Sequence, residues 1–429
     1  MTRGNKVYIE SHGCSASLAD SEMNAGELSK GGYSIVDSPE EADVSLLVTC
    51  TVKSATANKM AHRIRQLSKN KMPLVVAGCM PKTEQARIEK MNPDAGLLGP
   101  NSIENVRQVV ESALDGRKMV MIDDSPRPKV GLPRLRVNPI ISIVEIGSGC
   151  LSGCTFCQVK IAKGRLASYP PDLILDEVRT SLRDGCMEIW LTSTDNGCYG
   201  VDMGMDLAEL VSAVGSVDGN FFTRVGMMNP VHQRRSFERL LNAYEAKQIY
   251  KFLHIPVQSG SNRVLKLMKR GHSVWDFRRM ADAFRQRFPY SSISTDVIVG
   301  FPSETDDEFD ETIQLIETTT PDVVNISKYG MRPGTDAAML EQIPPEIINE
   351  RSRRMTECVR RTSLERNKCW IGWKGKCLVD EMGKREGTMI ARNPAYKPVV
   401  IGGNSDLLGT MLDLCVSGAA ETYLLGQII

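Results

Sequence analysis

Gly149-Cys150-Leu151-Ser152-Gly153-Cys154-Thr155-Phe156-Cys157 follows shortly after the apolar run Ile141-Ser142-Ile143-Val144-Glu145-Ile146. The C-x3-C-x2-C spacing puts three thiolates on one short loop, and thiolates clustered this way bind soft metals or iron–sulfur clusters. A 4Fe–4S cluster takes four ligands, so a loop that offers three leaves one iron open to a small molecule. Zinc is the alternative. It is four-coordinate and favours paired C-x2-C knuckles, and no second knuckle follows nearby. Iron–sulfur is therefore the better reading.

Around this loop the 429 residues are those of an ordinary globular chain, with 41% hydrophobic and 24% charged residues. That length suits two or three domains. The net charge is +1, so any polyanion must be held by local basic patches rather than by a global field. Twelve cysteines are too sparse for a disulfide scaffold. They fit a reducing cytoplasm, where cysteines serve more often as metal ligands. The N-terminal residues have no apolar leader, and no run of eighteen apolar residues appears, so no membrane segment is expected.

Upstream, residues 1–115 alternate strand-like and helical runs. Strands are expected at Lys6–Ser11, Ala42–Thr49 and Pro73–Ala77, with helices near 20–30, 53–69 and 82–91. The strands run into Cys14, Cys50 and Cys79. A βαβ pattern implies a parallel sheet with its ligands at the carboxyl edge, which brings these three cysteines to one edge as a second thiolate trio. Cysteine is also common in buried strands, but that does not account for three strands each ending in one. His12 reads as a turn residue beside the trio. Residues 116–139 form a basic, proline-punctuated connector, mostly a solvated linker, with contact to a phosphate backbone left open.

Downstream, residues 140–368 repeat strand then helix. Strands are expected at 141–146, 187–192, 221–226, 251–255, 293–299 and 323–327. Helices are expected near 172–184, 206–215, 235–247, 262–269, 274–287, 306–318 and 344–368. Six βα units make a partial (β/α)6 barrel, whose chemistry belongs at the C-terminal strand ends. From 351 to 376 the basic residues are Arg351, Arg353, Arg354, Arg360, Arg361, Arg366, Lys368, Lys374 and Lys376, opposed by Glu357 and Glu365. This run is either a solvated face or a phosphate-binding stripe. Residues 369–429 read as five short strands in a small antiparallel β-barrel. Cys186, Cys198, Cys358, Cys369, Cys377 and Cys415 read as structural. The fold class is α/β: an N-terminal parallel domain, a partial barrel and a small C-terminal β-barrel.

Taken together, these motifs resemble a known family. Cys150, Cys154 and Cys157, with Phe156 before the last, resemble the signature of radical S-adenosylmethionine (SAM) enzymes, in which SAM chelates the open iron. Gly13-Cys14, Thr49-Cys50-Thr51-Val52 and Gly78-Cys79-Met80-Pro81 resemble the N-terminal domain of the methylthiotransferases, where the three cysteines hold a second 4Fe–4S cluster. One departure is Ser17, where relatives usually carry Asn. It bears on a hydrogen bond to the ligand sphere and not on thiolate ligation. The resemblance makes Phe156, Thr192, Asp195, Gln258, Ser259, Gly260, Asp296 and Arg332 candidate SAM-binding residues. Relatives often have Gln or Glu in place of Thr194. Structural roles for Gln258, Ser259, Gly260 and Asp296 as caps, turn formers or a buried carboxylate remain open. Residues 369–429 resemble the TRAM module, an RNA-binding barrel.

Thr49-Cys50-Thr51-Val52-Lys53, Gly78-Cys79-Met80-Pro81-Lys82 and Glu188-Ile189-Trp190-Leu191-Thr192-Ser193 resemble most the archaeal and eukaryotic threonylcarbamoyladenosine tRNA methylthiotransferases. The resemblance implies conversion of N6-threonylcarbamoyladenosine, at position 37 beside the tRNA anticodon, to its 2-methylthio derivative. It further implies two 4Fe–4S clusters, two SAM per turnover, an electron donor, a sulfur donor and the tRNA anticodon loop as partner. The alternatives are isopentenyladenosine in tRNA, a ribosomal-protein aspartate, or a non-catalytic iron–sulfur RNA-binding protein.

Overall fold

A computed structural model of the chain describes residues 5–51, 54–69, 72–123 and 125–429. Val52 and Lys53 of the quoted motifs, and Asp124 of the connector, lie outside them. The chain folds as two compact units. The first comprises residues 1–137, 145–169 and 330–339, and the second residues 138–144, 170–329 and 340–429.

The first unit begins β1 (Lys6–Ser11), α1 (Ser15–Lys30), β2 (Ser34–Val36), β3 (Val44–Thr49), α2 (Ser54–Ser68) and β4 (Leu74–Gly78). It continues through α3 (Met80–Thr83), α4 (Gln85–Met91), β5 (Gly96–Leu98), α5 (Val106–Leu114) and β6 (Val120–Met121). The strands form one sheet in the order β2-β1-β3-β4-β5-β6, with every described pair parallel. β3 and β4 are buried throughout, as strands covered on both faces must be. Alternation sorts their side chains. Leu46, Val48, Val75 and Ala77 pack with Leu28 of α1 and Val106, Val109 and Val110 of α5. Leu47 and Val76 pack with Met60 and Ile64 of α2 and Ile88 of α4.

Three features of this unit were not read from the sequence. β2, β5 and β6 are too short to show a period. α1 starts at Ser15 rather than near residue 20, because the Cys14 carbonyl accepts the Leu18 N–H at 3.1 Å. The connector is packed on α1 over part of its length: Leu135 N donates to Glu22 O and Val137 N to Glu22 Oε1, each at 3.0 Å. A Cβ on Gly26 would lie 2.2 Å from Pro133 O, so the connector rests directly on the helix backbone.

The chain then passes through β7 (Ile141–Glu145), β8 (Gly147–Ser148), α6 (Val159–Lys163) and β9 (Ala167–Ser168). β8 and β9, which flank the cysteine loop in sequence, pair antiparallel within the first unit.

The second unit continues with α7 (Pro171–Arg183), β10 (Glu188–Thr192), α8 (Leu207–Gly215), β11 (Phe222–Val225), α9 (Pro230–Gln233), α10 (Phe237–Ala243) and β12 (Phe252–His254). It follows with α11 (Asn262–Leu267), α12 (Val274–Arg287), β13 (Ser292–Val299), α13 (Asp306–Thr319), β14 (Val323–Lys328) and α14 (Pro345–Lys368). The strands form two three-stranded sheets, β11-β10-β7 and β12-β13-β14. Tyr250 N donates to Thr223 O at 3.0 Å and Met228 N to His254 O at 2.9 Å, joining the sheets at β11 and β12. The result is an open, six-stranded partial barrel. All six strands lie within a residue or so of their expected places. The helix expected over 235–247 is shorter and is preceded by α9, which Pro230 opens with Asn229 as its cap.

The last strands are β15 (Lys374–Met382), β16 (Thr388–Arg392), β17 (Pro398–Gly402), β18 (Met411–Ala419) and β19 (Leu424–Ile428), closed into a barrel in the order β15-β16-β17-β19-β18. The barrel departs from the expected antiparallel form in one pair: β17 and β19 run parallel, Val399 opposite Leu424. The first strand starts only at Lys374, because Gly372 takes φ +86° and turns the chain first.

The basic run along α14 is largely an ion-pairing face. Arg351 meets Glu304 and Asp306, each at 2.8 Å, and Arg354 meets Asp310 at 2.7 Å. Arg361 pairs with Glu317, Arg353 with Glu350 and Glu357, Arg360 with Glu421 and Arg366 with Asp322. These contacts bind the helix to its own unit. The Arg351 and Glu304 side chains are 5% and 1% exposed, so breaking that pair strands a buried charge. Arg351→Met is expected to cost about 3–5 kcal/mol, read as a lowered urea midpoint.

Candidate functional site

The sheet register brings the N-terminal cysteines together. Ser11 lies opposite Val48, and Thr49 opposite Gly78, so Cys14, Cys50 and Cys79 all emerge at the carboxyl edge. Cys79 N donates to Thr49 O at 3.2 Å. Thr49 Oγ1 donates to Ala77 O at 2.6 Å and accepts from Met80 N at 3.2 Å. Gly78 makes this close crossing possible: it takes φ +89°, and a Cβ there would lie 2.4 Å from Thr49 O.

Cys14 is exposed, while Cys50 and Cys79 are buried. A hydrogen bond from the Cys50 thiol holds Cys14 well below the ordinary thiol range, helped by the Lys163 ammonium and opposed by burial. Burial pushes Cys79 up to about 12. Ser17 Oγ lies 3.6 Å from Cys14 Sγ, so the residue that departs from the family pattern still supplies a polar neighbour.

The second trio sits on a loop with little conformational freedom. Gly149 takes φ +73°, and a Cβ on it would lie 1.9 Å from Arg165 O. Ser152 N donates to Cys150 Sγ at 3.3 Å and Val159 N to Cys157 Sγ at 3.4 Å. Lys160 Nζ closes the loop on Ser152 O at 3.1 Å. Burial pushes Cys157 up to about 11, with Cys154 adding to it. Backbone N–H groups aimed at sulfur are an arrangement that suits iron–sulfur ligation and tunes its potential. Phe156 is half-buried within the loop.

Both trios belong to the first unit, where a chain of buried charges links their supports. Lys163 of α6 meets Glu145 at 3.0 Å, Glu145 meets Lys129 at 3.0 Å, and Lys129 meets Asp20 of α1 at 2.5 Å. Burial would raise the Glu145 carboxyl, but Lys129 and Lys163 prevail and hold it down at about 2. α6 also packs on α3, which begins immediately after Cys79. Arg332 is buried near Glu84, at 3.8 Å, and Gln158 Nε2 donates to Pro333 O at 2.8 Å. Burial draws the Arg332 guanidinium below its usual value, while Glu84 and the Cys50 and Cys157 thiols oppose this. Arg332 therefore feels a thiol from each trio.

The remaining candidates lie in the second unit. Thr192 ends β10 and is buried. Asp195 Oδ1 accepts from Gly197 N at 3.0 Å and Asn229 N at 2.9 Å, a loop-holding role. Gln258 takes φ +75°, with its Oε1 buried and lacking a hydrogen bond. Ser259 and Gly260 pack on α13, where Gly260 N donates to Thr312 Oγ1 at 2.8 Å. Asp296 Oδ2 lies 2.9 Å from His254 Nε2. Lys163, Lys129, Glu145 and His254 were not read as site residues. Lys163 lies only six residues past Cys157, but its role depends on contacts far away in sequence.

Residues 6–99 match the family described as uncharacterized protein family UPF0004, and residues 144–316 match the radical SAM superfamily. Among solved structures, a radical SAM methyltransferase from Kitasatospora setae shares the fold, with a TM-score of 0.57 at 13% identity, covering 78% of this chain and 74% of that one. The class is therefore radical SAM, which brings SAM and a 4Fe–4S cluster. A probable threonylcarbamoyladenosine tRNA methylthiotransferase of Pyrococcus horikoshii is 40% identical over 427 residues, covering 99% of both chains. The human threonylcarbamoyladenosine tRNA methylthiotransferase is 34% identical, covering 98% of this chain and 74% of its own. The chain belongs to the threonylcarbamoyladenosine tRNA methylthiotransferase family.

The thiol environments predict a reactivity order. In metal-free protein at neutral pH, iodoacetamide should modify Cys14 before Cys79 and Cys157, because thiolate content and exposure set the rate. Peptide mass spectrometry after brief labelling checks this, and Lys163→Met should slow modification of Cys14.

Proposed function

We propose that this protein replaces the hydrogen on carbon 2 of N6-threonylcarbamoyladenosine, at position 37 of tRNA, with a methylthio group by radical SAM chemistry. That C–H bond is neither acidic nor electrophilic, so no acid, base or nucleophile on the chain opens it. Cys150, Cys154 and Cys157 would hold one 4Fe–4S cluster, and Cys14, Cys50 and Cys79 a second. Each trio of donors is one short of four, which leaves room for a non-protein ligand. When bound, the first cluster with SAM supplies a 5′-deoxyadenosyl radical, and the second supplies a seat for the sulfur to be transferred.

The chain's own contribution is placement. Gly78 and Gly149 allow the tight backbone approaches behind each trio. Ser152 and Val159 donate their N–H groups to sulfur. Lys163 and Arg332 put fixed positive charge beside the thiols. Gln258 and Asp296, with Phe156 and Thr192, are the residues we assign to SAM, while Asp195, Ser259 and Gly260 hold the loops that carry them. The closed barrel of β15–β19 would serve RNA, whose modified base must be splayed from its loop to be reached. A second SAM, a sulfur donor and an external electron donor complete the balance.

The observation that carries this reading is the presence of both cysteine trios in one compact unit, in a chain whose relatives carry this activity in their names. Cys154→Ala should abolish release of 5′-deoxyadenosine from SAM under anaerobic reduction. Cys50→Ala should retain measurable release and form no methylthiolated nucleoside, as read by mass spectrometry of digested tRNA. Full product from Cys50→Ala would remove the division of labour between the trios.

A further inference from the structure

With most of the α14 arginines committed to carboxylates, a different cationic surface stands out in the second unit. The chain leaving β12 at His254 builds the loop, α11 and the start of α12 before returning to β13. This segment therefore lies at the C-terminal strand ends, the face where barrels of parallel strands do their chemistry. There a cleft of about 500 Å³ is lined by Arg234, Lys266, Lys269, His272 and Ser273, among others. Beside it stands Trp275, 65% exposed, although an indole of this size is normally among the better-buried side chains. Arg279 lies over its ring, 5.3 Å from the centroid, and also donates to Arg234 O at 3.4 Å. The indole, Arg279, Arg234 and the cleft thus form one continuous surface. Within it, Asp276 is taken by Arg234 at 2.6 Å. Lys266 and Lys269 are exposed at the cleft.

An exposed aromatic face next to clustered cations is the arrangement that binds single-stranded nucleic acid: a base stacks on the ring and phosphates meet the ammonium groups. We infer that Trp275, Arg279, Lys266 and Lys269 form a docking surface for the unpaired nucleotides that flank the reacting adenosine in the tRNA anticodon loop. This rests on the proposed tRNA substrate and adds where on the second unit that RNA is held.

The test uses the full, cluster-reconstituted protein and a fluorescent anticodon stem-loop RNA, with anisotropy read over a series of salt concentrations. Trp275→Ala should weaken binding about tenfold, in keeping with the loss of one stacked base, and Trp275→Phe should restore most of it. The pair K266E/K269E should lower the slope of log affinity against log salt by about 1.4, two single-strand phosphates at about 0.7 each. Melting curves report folding separately. Unchanged affinity and slope in all variants, while the wild type still forms methylthiolated nucleoside, would overturn this surface and leave the enzyme reading standing. A wild type that forms no such nucleoside would overturn the reading itself. Losses confined to reduction by an acidic electron-donor protein would place a protein on this surface and overturn the RNA assignment.

Discussion

The first unit depends on the buried ion chain from Asp20 through Lys129 and Glu145 to Lys163. Its members come from α1, the connector, the end of β7 and α6, pieces far apart in the chain. Each charge is shielded from water, so each requires its partner, and removing one leaves another uncompensated in a low-dielectric interior. The alternation of sign along the chain makes the arrangement self-consistent. The Lys163 ammonium also lowers the Cys14 thiol, and Cys79 and Cys14 in turn raise Lys163. The same lysine thus serves the packing of α6 and the electrostatics of the cysteines.

The second unit has an analogous lock where the small barrel meets the strands. Arg224 of β11 sits about 5 Å from the rings of Trp190 and Tyr396, 5.1 and 5.3 Å respectively. Tyr250 donates to Glu188 Oε2 at 2.8 Å. Arg392 lies over Tyr396 at 4.8 Å and bonds Asp380 at 2.9 Å. Tyr396 holds φ +63° to reach this position, a conformation uncommon for a bulky residue. The C-terminal barrel is therefore seated on the partial barrel by a fixed cationic and aromatic cluster, rather than joined to it by a loose tether.

The cysteines and the barrel strands were legible because their signals are local. A C-x3-C-x2-C loop needs no partner to be seen, and buried strands such as Leu46–Val48 declare themselves as apolar runs. What was hidden depends on distant contacts. The docked connector looks like a solvated linker because Lys129 finds its carboxylates at Asp20 on α1 and at Glu145, which no local pattern reveals. The α14 arginines left a solvated face and a phosphate stripe both open, because their carboxylates Glu304, Asp310 and Glu317 lie elsewhere in the chain. The parallel closure of β17 by β19 leaves no mark on strand composition. Asp195 and Ser259 sit where the motifs placed them, but only hydrogen bonds reveal that they hold loops.

The first unit is assembled from three separated pieces of chain, the last being residues 330–339. A ribosome delivers the N-terminal sheet early, yet Arg332 and the Pro333 carbonyl emerge only after most of the chain has been made. Until then α6, Gln158 and the cysteine loop lack their final neighbours. Contacts of such long sequence separation slow folding. The cysteine loop and α6 thus gain their last packing partners only at a late step of synthesis.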